Sequence, residues 1–150
     1  MKPKEKLVIK ADGTWTSNGE VISHAPTLAL FSKSLFRTPQ GIELRIGHEK
    51  APVKVEDTLY FVTHVSVSSS EVSITLSDGE RETLNLDSLS YTEGRLSCKV
   101  HRRGEQEEAR FLWRPYHELL ALAEEDQTGL KYIQLAKIKV FFKTPEKLRH

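Results

Sequence analysis

The sequence predicts an α+β fold, rich in short antiparallel strands and carrying two amphipathic helices. Three observations predict it. Apolar and polar residues alternate at period two through much of the chain, as in Val72, Ile74 and Leu76 against Ser73 and Thr75. Asp12-Gly13, Asn18-Gly19 and Asp78-Gly79 interrupt that alternation with pairs that supply the positive φ of tight hairpins. Helical spacing appears twice, each time near a proline, Pro26 or Pro115.

The elements follow in order. Leu7-Val8-Ile9 is a short strand ended by Asp12-Gly13, and Thr14-Trp15-Thr16 is a second ended by Asn18-Gly19. Val21-Ile22 begins a third. Ser23 suits a helix N-cap and Pro26 the first turn. Leu28, Phe31 and Leu35 then share one helical face, which Thr38-Pro39 and Gly41 close. Ile42, Leu44 and Ile46 alternate with Glu43 and Arg45 as a half-buried strand, and Val53 and Val55 mark another. Residues 59–67 and 71–77 form a hairpin about Ser68-Ser69-Ser70, and Asp78-Gly79 turns the chain toward Leu84 and Leu86. Leu96, Cys98 and Val100 pair with Ala109, Phe111 and Trp113 across a charged loop, 101–108. The second helix starts at Pro115, with Tyr116, Leu119, Leu120 and Ala123 as its apolar stripe, and Glu124-Glu125-Asp126 at its end. Residues 136–142 alternate Ala136, Ile138, Val140 and Phe142 with Lys137 and Lys139, an edge strand guarded by lysines.

At 150 residues the chain is one compact unit, 1–150, divisible into halves of about 1–58 and 59–150. Each half holds several strands and one helix, which suggests a repeated sheet-plus-helix motif. A net charge of +1 supplies no global field toward nucleic acid or membrane. Charge is uneven, at −5 over residues 66–94 and +4 over 137–150. One cysteine, Cys98, excludes an internal disulfide and reads as a small core hydrophobe. No apolar run approaches the roughly 20 residues of a membrane span. Lys2, Lys4 and Lys6 are followed by no secretory apolar region. A soluble, cytoplasmic protein is expected.

Chemistry is sparse. There is no G-x-G-x-x-G, no phosphate-binding lysine loop and no G-x-S-x-G elbow. None of the six histidines pairs with another at helical spacing, and Cys98 and His101 stand on opposite faces of a strand, so no metal is expected. Asp57, after Glu56, suits a turn in which its carboxylate accepts backbone amides. Phe111 and Trp113 fall on the strand face opposite Arg110 and Arg114, against the mixed surface a nucleic-acid platform needs. Trp15 reads as a core plug first and a recognition residue second.

In order, Asp12-Gly13-x-Trp15, Asn18-Gly19, Ile22, Leu30-Phe31-Ser32-x-x-Leu35, Gly41-x-x-Leu44, Glu49-Lys50 and Val55-Glu56-Asp57 resemble the bacterial family called domain of unknown function twelve eighty-five. Tyr116-x-Glu118-Leu119 and Val140-Phe141-Phe142 echo it more weakly. The stretch 130–135 lacks the Gly/Ser/Trp-rich character of that family before its final strand. The resemblance implies an α+β fold with a repeated β-rich motif and no established activity, a signalling or regulatory binding role being analogy.

The expectation is therefore a non-catalytic module that binds a small molecule or a protein and needs no cofactor. Its groove is expected between the first helix and first sheet, bordered by Trp15, Glu49, Lys50 and Asp57. One alternative is an enzyme pairing Glu56 or Asp57 with His48 or His64. Another is a nucleic-acid accessory protein using the basic C-terminus.

Overall fold

A computed structural model describes residues 6–135 and 138–143. Strands β1 (Leu7–Ile9), β2 (Trp15–Ser17) and β3 (Glu20–Ile22) lead into helix α1 (Ala25–Lys33). Strands β4 (Leu35–Thr38), β5 (Gly41–Ile46) and β6 (Glu49–Val55) complete a six-stranded sheet of order β3-β2-β1-β6-β5-β4. A second sheet uses β7 (Tyr60–Val67), β8 (Val72–Leu76), β9 (Arg81–Thr83), β10 (Ser90–Thr92), β11 (Arg95–Arg102) and β12 (Glu105–Phe111), in the order β10-β11-β12-β7-β8-β9. Helix α2 (Trp113–Leu120) follows, then a small sheet of β13 (Glu124–Glu125), β14 (Lys131–Leu135) and β15 (Ile138–Phe141). The fold is α+β and β-rich. No helix among the described residues is long and apolar enough to cross a membrane.

Numbered within each six-stranded sheet, both orders read 3-2-1-6-5-4. In both, two antiparallel meanders are joined by one parallel pair, β1 with β6 and β7 with β12. The repeat reaches single hydrogen bonds. The Glu56 amide donates to Ile9 O at 2.9 Å, and the Leu112 amide donates to Val62 O at 3.0 Å, at matching places beyond β6 and β12. One face of the parallel pairing lies in the core: Ile9, Val62 and Ala109 are fully enclosed in one apolar cluster that draws on both sheets, while Lys54 on the other face of β6 is exposed.

The helices are not part of the repeat. α1 joins the third and fourth strands of the first sheet, where the second sheet has only a single 3₁₀ turn, Leu86–Ser88. α2 lies beyond both sheets.

Several local expectations change. His24, not Ser23, caps α1, its ring accepting the Thr27 amide. The helix stops at Lys33, because Leu35–Thr38 pairs with β5. Trp113 opens α2 instead of extending β12, and it is exposed. The region 101–108 is mostly strand: Arg103 (φ 52) and Gly104 (φ 78) make a two-residue turn, and only they leave the ladder. Glu124 and Glu125 pair across to β14, with Glu125 bonded to Lys131. Asn18 (φ 52) and Gly19 (φ 86) form the expected tight turn. At Asp12-Gly13 only the glycine has positive φ, and the Asp12 carboxylate accepts the Thr14 amide. Asp78-Gly79 repeats that arrangement, with Asp78 accepting the Glu80 amide. Cys98 is buried, and burial pushes its thiol pKa up to about 12. Of the strand predicted at 136–142, Ala136 and Lys137 lie outside the described residues, as do Lys147 and Arg149.

Candidate functional site

The β11–β12 turn leans over the end of α1. There Arg103 Nε donates to Leu35 O of β4 at 3.0 Å and Nη2 to Lys33 O at 2.7 Å, the latter a carbonyl that the helix end leaves open. The guanidinium lies 3.7 Å above the Phe36 ring, and Arg45 lies over the same ring at 4.4 Å. Beside it, Arg37 of β4 makes a two-point contact with Glu107 of β12, at 2.8 and 2.7 Å. Alternation on β12 points Glu107 inward with Ala109 and Phe111, so this carboxylate is buried and needs its partner. Arg102 is held by Asp78 at 2.6 Å and Glu82 at 2.9 Å, over the Tyr60 ring. Burial opposes the Arg102 charge, but the two carboxylates outweigh it and raise its pKa. Burial, with Asp78 nearby, also raises the Tyr60 hydroxyl.

Two adjoining cavities, each about 440 Å³, share Tyr60, Arg102 and Arg103 and form a groove between the two sheets. Lys33, Arg37, Arg102 and Arg103 line it, against Asp78, Glu80, Glu105 and Glu107. Arg37 and Arg102 have carboxylate partners. Among the described residues Lys33 and Arg103 form no ion pair, nor do Glu80 and Glu105, although the Glu105 charge helps to raise the Arg37 pKa. The groove thus has balanced charge, with two cations and two carboxylates outside any ion pair among the described residues.

The four residues expected to border a site are not gathered. Trp15 is buried at 5% exposure and packs on Phe31, ring centroids 5.4 Å apart. It pairs with Ile9, which pairs with Val55. Glu49 and Lys50 are exposed at the other end of β6, and at about 3.3 Å per residue Lys50 lies some 17 Å from Val55 along the strand. A strand that long in an antiparallel hairpin separates its ends, so one small ligand does not span them. Within the repeat, Glu49 and Lys50 match Glu105 and Gln106, and Glu105 does line the groove. The missed residues carried a signal: alternation continues through Arg102, Glu105 and Glu107, with Arg103-Gly104 at its break.

Asp57 serves another purpose. Its carboxylate takes Arg95 Nη2 at 2.7 Å, Arg95 Nε at 3.1 Å and Arg110 Nη1 at 2.9 Å, rather than backbone amides. Arg95 continues to Glu108 at 3.3 Å, and Glu108 takes the Ser97 hydroxyl at 2.7 Å. Asp57 therefore fastens the chain between β6 and β7 onto β11 and β12. Glu56 accepts the Ala11 amide at 3.1 Å and Lys10 at 3.2 Å, which ties it to the first turn.

Among the described residues neither Glu56 nor Asp57 bonds a histidine: both have these other partners, His48 stands in the β5–β6 turn at the far end of β6, and the His64 ring contacts the Thr63 hydroxyl. Among the described residues no three His, Cys, Asp or Glu side chains are grouped to hold a metal. The arginines and Tyr60 can bind and orient charge.

No family model matches the chain, and no curated protein does. Two solved structures do. One is a DUF1285 family protein from Silicibacter pomeroyi DSS-3, with TM-score 0.60 and 20% identity over 98% of this chain and 84% of that one. The other is a DUF1285 family protein from Shewanella baltica OS155, with TM-score 0.59 and 20% identity over 78% of this chain and 91% of that one. The opening motifs resemble the same family, and the chain carries the fold of these DUF1285 family proteins.

Proposed function

We propose that the protein is a non-catalytic binding module whose ligand lies in the charged groove. The observation that carries this reading is Arg103: stacked on Phe36, bonded only to carbonyls, and placed at the junction of the two cavities. It is a fixed cation with no carboxylate of its own among the described residues. Lys33 adds a second. Glu80 and Glu105 supply open acceptors nearby, so a small zwitterion such as an amino acid or dipeptide fits the charge balance better than a polyanion. Walls from both sheets make occupancy felt by both, which suits a regulatory or signalling module.

A thermal-shift panel of free amino acids and dipeptides at millimolar concentration tests this. A ligand at about 100 times its Kd adds roughly 2.7 kcal/mol, or several degrees in Tm. The shift should vanish in the Lys33→Ala/Arg103→Ala double variant. No shift across the panel, or a shift retained by that variant, overturns the reading.

A further inference from the structure

A second concavity of about 260 Å³ lies along α1. Trp15, Leu28, Ala29, Phe61 and Leu112 make most of its wall, and no charged side chain lines it. The helix contributes Ala25, Leu28, Ala29 and Ser32, at i, i+3, i+4 and i+7, so one whole face of α1 is open to it. Its few polar groups are nearly all used. Thr63 Oγ1 donates to Thr75 O at 3.1 Å, and Ser77 Oγ accepts the Phe61 amide at 3.0 Å.

Ser32 is the exception. It is 5% exposed, yet its hydroxyl bonds no described residue. A helical serine usually donates to the carbonyl four residues back, as Ser34 does to Leu30 O at 2.6 Å. The oxygen is not among the fully enclosed unpartnered side-chain atoms of the described residues, as Ser90 Oγ is, so it stays reachable from the concavity.

We infer that this cavity binds a neutral, single-ring aromatic molecule whose one polar substituent hydrogen-bonds to Ser32. A closed apolar cavity of about 150 Å³ admits a benzene ring, so this more open concavity of about 260 Å³ has room for a ring with a substituent. Trp15 and Phe61 offer aromatic walls for offset or edge contact. The lining offers an ionised ligand no charged partner, so a neutral one fits better. The site shares Ser32 with the charged groove and otherwise uses different residues, so it does not depend on the function proposed for that groove.

The test is titration of the full chain with p-cresol and with toluene, followed by two-dimensional NMR. Both probes should shift Trp15 and Phe61 resonances, p-cresol binding the more tightly. Ala25→Leu and Ala29→Leu each fill the cavity from an exposed helix position that tolerates leucine, and either should abolish both titrations. Ser32→Ala should weaken p-cresol about fivefold, the worth of one hydrogen bond, and leave toluene unchanged. The Lys33→Ala/Arg103→Ala variant should bind both probes normally. Shifts confined to other residues, binding that survives both leucine variants, or equal effects of Ser32→Ala on the two probes would overturn the inference.

Discussion

Asp57→Ala removes the one carboxylate that two arginines share. Three hydrogen bonds are lost, at 2.7, 2.9 and 3.1 Å, from a side chain only 17% exposed. A charge-assisted bond contributes about 1.5–3 kcal/mol in isolation, but three on one carboxylate do not add fully. Exposed pairs give under about 1 kcal/mol and fully buried ones about 3–5 when broken. Arg95 keeps Glu108, whereas Arg110 loses its carboxylate. The expected cost is about 3 kcal/mol, lowering Tm by roughly 6–12 °C for a chain of this size. The pH dependence follows in sign. Burial opposes the Asp57 charge, but Arg95 and Arg110 outweigh it and hold its pKa below the ordinary value. A carboxyl depressed in the folded state adds stability above its unfolded pKa, about 3.9, and loses it as pH falls through the lower folded value. The gap between wild type and variant should therefore be full at pH 7 and close below about pH 4. Urea unfolding at stepped pH measures it. A cost under about 1 kcal/mol at pH 7 would refute the anchoring role, as would a gap that widens on acidification.

Three further outcomes are expected. Gly13→Ala meets two penalties, a φ of +90° and a Cβ 3.0 Å from Leu112 Cδ2, whereas Gly19→Ala at φ +86° meets open space; Gly13→Ala should cost about 1 kcal/mol more by chemical denaturation, and equal costs would count against close docking of the first turn on the second sheet. Arg37→Ala should destabilise by about 2 kcal/mol and exceed Glu107→Ala, because it strands a carboxylate 6% exposed while the reverse change leaves Arg37 half in water; the opposite order of unfolding midpoints would show that Glu107 is hydrated. Trp15 should emit as a buried indole and Trp113, 74% exposed, as the quenchable one, so Trp113→Phe should remove nearly all acrylamide quenching.

The sequence by itself determined the class, most strands and the location of the tight turns. Those depend on short-range chemistry: alternation at period two, and glycine or asparagine where φ is positive. It also placed Trp15 and Cys98 in the core, since apolar residues on an alternating face have one place to go. The helix limits were less legible. Leu28, Phe31 and Leu35 match helical spacing, but Leu35 is drawn into β4 by pairing with Leu44, a partner nine residues away. Trp113 fitted the strand period and went into α2 instead, where it stacks on Tyr116 at 6.1 Å.

The sequence suggested a repeated motif, but only the tertiary structure decided its strand order, left both helices out of it and assembled the site. The two sheets share a strand order with little shared residue identity, because many side chains satisfy the same hydrogen-bond topology. The groove needs Arg103 against Phe36 and Arg37 against Glu107, residues about 70 apart in the chain whose meeting is set by how the sheets pack. Asp57 looked like a site residue for the same reason that it is an anchor. A carboxylate at the end of a strand invites a cation, and its cations, Arg95 and Arg110, come from strands that the local sequence cannot name.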